Sequence, residues 1–430
     1  MRYFRGKKVL VYGMGRSGQS ACKLLHDNDA CVSVYDEDKN FFNMFCFEEH
    51  PLEKTYDLVV VSPGIKVLGN ELIQHFQKNK TAVVSELDLG SSFCQGKIIA
   101  VTGTNGKTTT TSLIGNILKK AEREVFVCGN IGLPISAIAK NTTRKSVTVC
   151  EVSNFQLELC SVFNPFIACI LNLQEDHLDR HGNFAEYVRV KNKITQNFNN
   201  NLLIYNIDDP NSGLINLPKK HCQTSTGQLK KGCYVKNDTI YFNKTKIMPV
   251  SEVNLLGCKN LENVLVAICA CAQLKVKPET IRQAVKEFSP LPHRLERIGV
   301  VDGVEYINDS KSTNVACTEM AVESLNRNNL ILLVGGQNKN CNFDRFFSSG
   351  KDIKEVVCFG ASGPELEAVA KKNGYVTTLY NSMEQAVREI KIRARSGDTV
   401  LFSPGCASFD EFSSYAVRGQ IFKEIVLEDA

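Results

Sequence analysis

The stretch IIAVTGTNGKTTTTSLIGNIL, residues 98–118, sets Lys107 and Thr108 directly after a turn holding Gly103 and Gly106. A hydrophobic run precedes the turn and a helical pattern follows it. Backbone N–H groups in such a loop cradle phosphates, a lysine spans them, and the threonine hydroxyl reaches a Mg2+ ion. The longer pattern GxxxxGK[ST] would need glycine at position 101, which is Val101, so the loop is the shorter Gly103-Thr104-Asn105-Gly106-Lys107-Thr108. Glu151 closes the hydrophobic run SVTVCE, the position at which such folds place a second contact to Mg2+. Further on, ILNLQEDHLDRHG carries Glu175, Asp176, His177 and Asp179 off the end of another apolar run, and a metal role for His177 fits that placement, although the spacing is not that of a zinc site.

A second phosphate cradle lies upstream. Gly13-Met14-Gly15-Arg16-Ser17-Gly18 follows the run KKVLVYG, and Asp36 ends the next one. Glycines permit the tight turn and close backbone approach, and the acid reaches a ribose hydroxyl. Since the loop at Gly103–Thr108 begins so soon after it, a mononucleotide or sugar nucleotide suits this turn at least as well as NAD. Polar clusters also mark the last third of the chain: His293-Arg294, then Asp309, Ser310, Lys311, Thr313 and Asn314, then Lys339 after paired glycines, then Ser408. Lysine, arginine and hydroxyls at three strand ends describe a site for an anionic small molecule.

These residues need strands and helices to hold them. Runs at 8–13, 31–36, 56–64 and 81–86, separated by helical patterns, predict a parallel doubly wound sheet in residues 1–92. Runs at 97–103, 124–129, 146–151, 166–173 and 201–206 predict a central mostly parallel sheet of the P-loop ATPase type in 93–291, with a small antiparallel insert at 221–256. A hairpin signal at Asp302-Gly303 opens a third α/β unit, 292–430. The expected class is therefore α/β with three domains, the first and last Rossmann-like. With 43% hydrophobic and 23% charged residues the chain is ordinary globular material, and a net charge of +5 without a basic run argues against nucleic acid as the main partner. The 17 cysteines include no CxxC pair and read as reduced thiols. No apolar run reaches the ~18 residues of a membrane span. A soluble cytoplasmic protein is expected.

Taken together, TGTNGKT, GMGRSG, GNIGLP, EVSNFQLE, NLQEDHLDRHG, LPHRLE, NDSKSTN and SPGCASFDEF span nearly the whole chain and resemble the Mur ligase family. The resemblance implies an ATP-dependent ligase acting through an acyl phosphate, with UDP-N-acetylmuramoyl-L-alanine and D-glutamate as substrates, ATP and two Mg2+ ions, and a monomeric state. It implies ATP contacts from Gly103, Thr104, Asn105, Gly106, Lys107, Thr108, Thr109, Asn260, Asn263, Arg294 and Asp309. UDP-substrate contacts would come from Gly13, Gly15, Arg16, Ser17, Asp36, Asn130 and Gln156. D-Glutamate would meet Thr313, Lys339, Ser408, Phe409 and Tyr415. Metal ligands would be Thr108, Glu151, His177 and Lys191, the last as a carbamate with Lys193 as runner-up. Lys107, Asn130, His177, Lys191 and Lys311 would carry the chemistry. Departures from the family pattern are Lys259 in place of histidine, Asn154, Gln337 and Tyr415. An L-alanine-adding member of the family, an NAD-linked oxidoreductase and a P-loop switch protein are the alternatives.

Overall fold

The computed structural model describes residues 4–38, 45–289, 292–325, 327–337 and 342–428. The described chain is mixed α/β, with three mostly parallel sheets. In the first, Lys8–Tyr12 lies between Cys31–Tyr35 and Leu58–Val61, with Cys46–Phe47 and Ala82–Ser85 at the edges and every pairing parallel. Successive side chains of a strand face opposite sides. Val9 and Val11 accordingly join Ala21, Leu24 and Leu25 of the helix Arg16–His26 on one face. Leu10 and Tyr12 join Leu72, Ile73 and Phe76 of the helix Glu71–Lys78 on the other.

The second sheet has nine strands, with Lys97–Thr102 between Ile167–Ile170 and Val147–Glu151. The region expected as an antiparallel insert instead lengthens this sheet. His221–Ser225 pairs parallel with Leu202–Asn206, and Cys233–Lys236 pairs parallel with His221–Ser225. Only Thr239–Phe242 and Thr245–Pro249 run antiparallel. The reason is local: Asn237 and Asp238 both take positive φ and close a tight hairpin there, whereas the longer connection from 207 to 220 lets His221–Ser225 return in parallel.

In the third sheet the hairpin Glu296–Val301 and Val304–Asn308 turns at Asp302 and Gly303, both at positive φ. The remaining strands, Thr399–Gly405, Leu330–Gly335, Glu355–Phe359 and Thr377–Tyr380, add in parallel. Thr377–Tyr380 and the closing helix Tyr415–Leu427 are elements that sequence reading passed over. By contacts the chain divides into two compact units, Met1–Glu252 with Glu262–Lys286 and Val253–Leu261 with Glu287–Ala430. The first two sheets share the first unit. No helix among the described residues is long and apolar enough to cross a membrane.

Candidate active site

The phosphate loop connects the strand Lys97–Thr102 to the helix Lys107–Lys120. Gly106 caps that helix at φ 81°, and a Cβ there would fall 2.2 Å from Oδ1 of Asn263, so both backbone and space demand glycine. The loop is sewn to the neighbouring strand end. Asn105 N–H donates to Oδ1 of Asn172 at 2.8 Å, Thr104 N–H to Asn172 O at 3.0 Å, and the Thr104 hydroxyl meets the Tyr187 hydroxyl at 2.8 Å. This fixes the start of the helix, whose N–H groups point the way an anion site needs.

Two ammonium groups converge on one carbonyl. Nζ of Lys107 lies 2.9 Å from Gly103 O, and Nζ of Lys191 lies 3.0 Å from the same oxygen. Lys191 is only 1% exposed. Burial, and then the charge of Lys107, hold its ammonium well below the usual lysine range. The runner-up, Lys193, is elsewhere, donating to Glu158 O. Beside the loop strand, Glu151 pairs in register with Val101 and is 1% exposed. Its Oε1 accepts from Asn130 Nδ2 at 2.8 Å and its backbone carbonyl from Asn130 N–H at 2.9 Å, while Oε2 has no hydrogen-bond partner among the described residues. A buried carboxylate oxygen left open fits a cation. Among the described residues no group of three or more His, Cys, Asp or Glu side chains could hold a metal, so phosphate and water must complete any Mg2+ shell here.

His177 sits at φ 52° before the short helix Leu178–His181. Its Nε2 is 3.4 Å from Oδ2 of Asp176, and its half-exposed ring lies 4.8 Å from that of Phe155. Sequence reasoning missed the frame behind it. Arg180 grips both Glu158 oxygens at 2.8 and 2.6 Å, donates to Ile65 O at 2.6 Å, and lies 4.0 Å over Phe155. His181 is buried against Asn154, and desolvation lowers its pKa. The polar string that suggested a metal face is thus partly a brace.

At the upstream turn, Gly13 has φ 92°, and a Cβ on Gly18 would meet Gly13 O at 1.9 Å. Gly15 has nothing within 4 Å of its would-be Cβ, which leaves open approach. Asp36 is already held, accepting from Met14 N–H at 2.5 Å and Asp38 N–H at 2.9 Å. Arg16 reaches Gly132 O at 2.5 Å and so ties this turn to the GNIGLP loop that carries Asn130. Ser17 starts the helix Arg16–His26 one residue in. Gln156 is buried and, with Ser153, forms the capping box of a short helix.

The second unit gathers its own polar site. Asp309 is buried and accepts from Ser312 Oγ at 2.5 Å, Ser403 Oγ at 2.9 Å and Leu295 N–H at 3.1 Å; burial pushes its carboxyl up to about 6. That clamp holds the segment carrying Arg294, where His293 and Leu295 both take positive φ. Nζ of Lys311 lies 3.9 Å over the ring of Tyr415. Gln337 and Ala407 exchange backbone hydrogen bonds of 2.8 and 3.0 Å, which brings the paired glycines beside Ser408 and the exposed Phe409. Arg418, unnoticed in the sequence, is fully buried beneath these loops. It donates to Ser310 Oγ at 3.1 Å, Ser310 O at 3.0 Å, Cys406 O at 3.1 Å and Ala407 O at 3.3 Å. Thr313 follows the same loop as Lys311. Asn260 donates to Leu256 O at 2.7 Å and belongs to this unit, whereas Asn263 belongs with the phosphate loop. Lys339 lies outside the described residues.

A P-loop-like turn on one α/β unit and a polar, cationic cluster on another suit a class of nucleotide-dependent ligases, and comparison agrees. The profile of the Mur ligase middle domain matches residues 101–271, and that of the Mur ligase glutamate ligase domain matches 293–406. The chain belongs to the Mur ligase family. It is 38% identical to the UDP-N-acetylmuramoylalanine–D-glutamate ligase of Koribacter versatilis over 98% of this chain and 97% of that protein. It is 36% identical to the enzyme of the same name from Enterococcus faecalis over 98% of this chain and 97% of that one. Among solved structures it is similar in fold to the MurF ligase of Thermotoga maritima in complex with ADP, with a TM-score of 0.62, 18% identity, and 100% and 97% of the two chains covered.

Proposed function

We propose that this chain is an ATP-dependent ligase that adds D-glutamate to UDP-N-acetylmuramoyl-L-alanine in peptidoglycan precursor synthesis. The observation that carries the reading is near-complete coverage by relatives bearing that activity in their names, on a chain whose phosphate loop keeps Lys107, Thr108 and an open carboxylate oxygen on Glu151. A carboxylate becomes an electrophile once one of its oxygens carries a phosphoryl group. ATP phosphorylates the alanyl carboxylate, the amine of D-glutamate attacks the acyl carbon, and the tetrahedral adduct collapses to amide and phosphate, leaving ADP from the first step. Transfer of this kind depends on positioning and neutralisation of charge.

In this reading Lys107 leaves the loop carbonyls for the phosphates. Thr108 and Glu151 would hold one Mg2+, and His177 with Lys191 a second; the ions would supply charge neutralisation. Only an uncharged amine adds to CO2, and the crowding of Lys191 against Lys107 in a dry site favours that form, so a carbamate on Lys191 follows. Asn130 steadies Glu151 and approaches the acyl phosphate. Gly13, Gly15, Arg16, Ser17, Asp36 and Gln156 serve the UDP-substrate, while Thr313, Lys339, Ser408, Phe409 and Tyr415 serve D-glutamate. Arg294 and Asp309 are assigned to ATP and Lys311 to the chemistry of the intermediate. The domains are read as 1–92, 93–291 and 292–430, in a monomer of the cytoplasm. The test is phosphate release with ATP, Mg2+ and UDP-N-acetylmuramoyl-L-alanine, adding D-glutamate, L-glutamate or L-alanine in turn. Release that requires D-glutamate, with the matching mass gain in the nucleotide product, is expected; release indifferent to the amino acid overturns the reading.

A further inference from the structure

The nine-stranded sheet carries thiols that the ligase reaction leaves unused. Cys169 and Cys222 flank Ile204 in register on neighbouring strands, so their side chains share one face, and Cys233 joins them two positions further along. The helix Cys258–Gln273 brings Cys269 to that face, with its Sγ donating to Sγ of Cys222 at 3.4 Å. Cys222 is part-exposed and Cys269 fully buried. One thiol can therefore meet a solute, and the other waits behind it within bonding reach after a small rotation.

We propose that Cys222 and Cys269 are an oxidisable dithiol, a modification site at which hydrogen peroxide, entering from solvent, closes an intramolecular disulfide. The Cys222 thiolate attacks one peroxide oxygen, the O–O bond breaks, and hydroxide leaves, so that Cys222 becomes a sulfenic acid. Cys269 then attacks that sulfur, giving up its proton, and water leaves as the S–S bond forms. Two thiols are oxidised and one peroxide is reduced to two waters. The hydrogen bond from Cys269 lowers the pKa of the Cys222 thiol, which suits Cys222 to the first step. The exposed thiols of Cys31, Cys46 and Cys258 make no hydrogen bond to another thiol among the described residues and would stop at the sulfenic stage or beyond. The bond would staple the helix whose Asn263 abuts Gly106 to the sheet beneath the phosphate loop.

The experiment exposes the reduced full-length protein to hydrogen peroxide, blocks free thiols and maps peptides by mass. The expected result is a linked pair of peptides holding Cys222 and Cys269, lighter by two hydrogens and separated again by dithiothreitol. In Cys269→Ala, dimedone should trap sulfenic acid on Cys222 several-fold more than in the parent. Linkage of Cys222 to Cys169 or Cys233, an unlinked Cys222, or equal dimedone trapping in parent and variant overturns the assignment. Should Cys269→Ala fail to fold, the peptide map of the parent decides alone.

Discussion

Two buried cations, one in each compact unit, show different uses of the same expense. Arg418 and Lys191 are both withdrawn from water, and neither has a salt bridge to a carboxylate among the described residues. Arg418 satisfies its planar fork with four hydrogen bonds to Ser310, Cys406 and Ala407, and so welds two loops of the second unit together. Among the described residues Lys191 has one side-chain hydrogen bond, to a carbonyl it shares with Lys107, and a ring contact with Tyr187 at 4.7 Å. A buried charge that is well paired with dipoles is architecture, while one left crowded and underpaired is a reservoir for chemistry.

The largest effect should come from breaking the satisfied partner. Arg418→Met takes a donor from four buried acceptors, of which Ala407 O keeps another, the Gln337 N–H, and should destabilise the second unit by roughly 3–5 kcal/mol, seen in urea unfolding of the full chain. A near-neutral result would mean the guanidinium is not a weld. Lys191→Met should do the reverse. In buffer stripped of bicarbonate it should raise stability at neutral pH by roughly 1–4 kcal/mol, as apolar replacements of buried ionic groups do. It should also cost about 10³-fold in turnover, close to 4 kcal/mol. Because the folded-state pKa of Lys191 is depressed, the unfolded chain binds the extra proton, and the parent gains stability as pH rises toward the ordinary lysine value of 10.5. The gap between parent and variant should therefore narrow with rising pH, and a gap that widens would contradict the burial argument.

The sequence makes this contrast legible on one side only. The loop at Gly103–Thr108 is readable because strand, glycine turn and helix are contiguous, and its chemistry sits in consecutive residues. Lys191 lies 88 positions from Gly103, so local pattern says nothing of their contact; family likeness had to nominate it, with Lys193 beside it. Arg418 escaped notice because arginine on a helix ordinarily faces water. The sheet extension at 221–236 was misread for a related reason: short alternating strands look alike in parallel and antiparallel pairing, and only the tertiary return of the chain separates them.

Asp309 offers an intermediate effect within the second unit. Its carboxyl, raised from 3.8 to about 6 by burial, binds a proton more tightly folded than unfolded. The stability it carries is thus fully present below pH 3.8 and is lost as pH rises through about 6. Asp309→Asn should remove that slope, so that the difference in unfolding free energy between variant and parent climbs by up to about 3 kcal/mol from pH 4 to 7. Poor matching of the amide to the Leu295 N–H or the Ser312 and Ser403 hydroxyls would add the same cost at every pH and leave that climb unchanged. A flat difference across this range would show that the serine hydroxyls hold Asp309 ionised throughout.

The smallest effect sharpens the comparison most. Lys193 stands two residues from Lys191 and is also partly desolvated, which lowers its pKa, yet its ammonium meets Glu158 O rather than the phosphate loop. Lys193→Met should cost about 1 kcal/mol of stability, the worth of one hydrogen bond. Turnover should stay within a few-fold of the parent, measured beside Lys191→Met in the same phosphate-release assay. Short carboxylic acids should restore part of the activity of Lys191→Ala, where they can stand in for a carbamate anion, and should leave Lys193→Met unchanged. If rescue and loss instead followed Lys193, the crowding at Gly103 O would be a packing accident, and the distinction drawn between the two buried cations would fall with it.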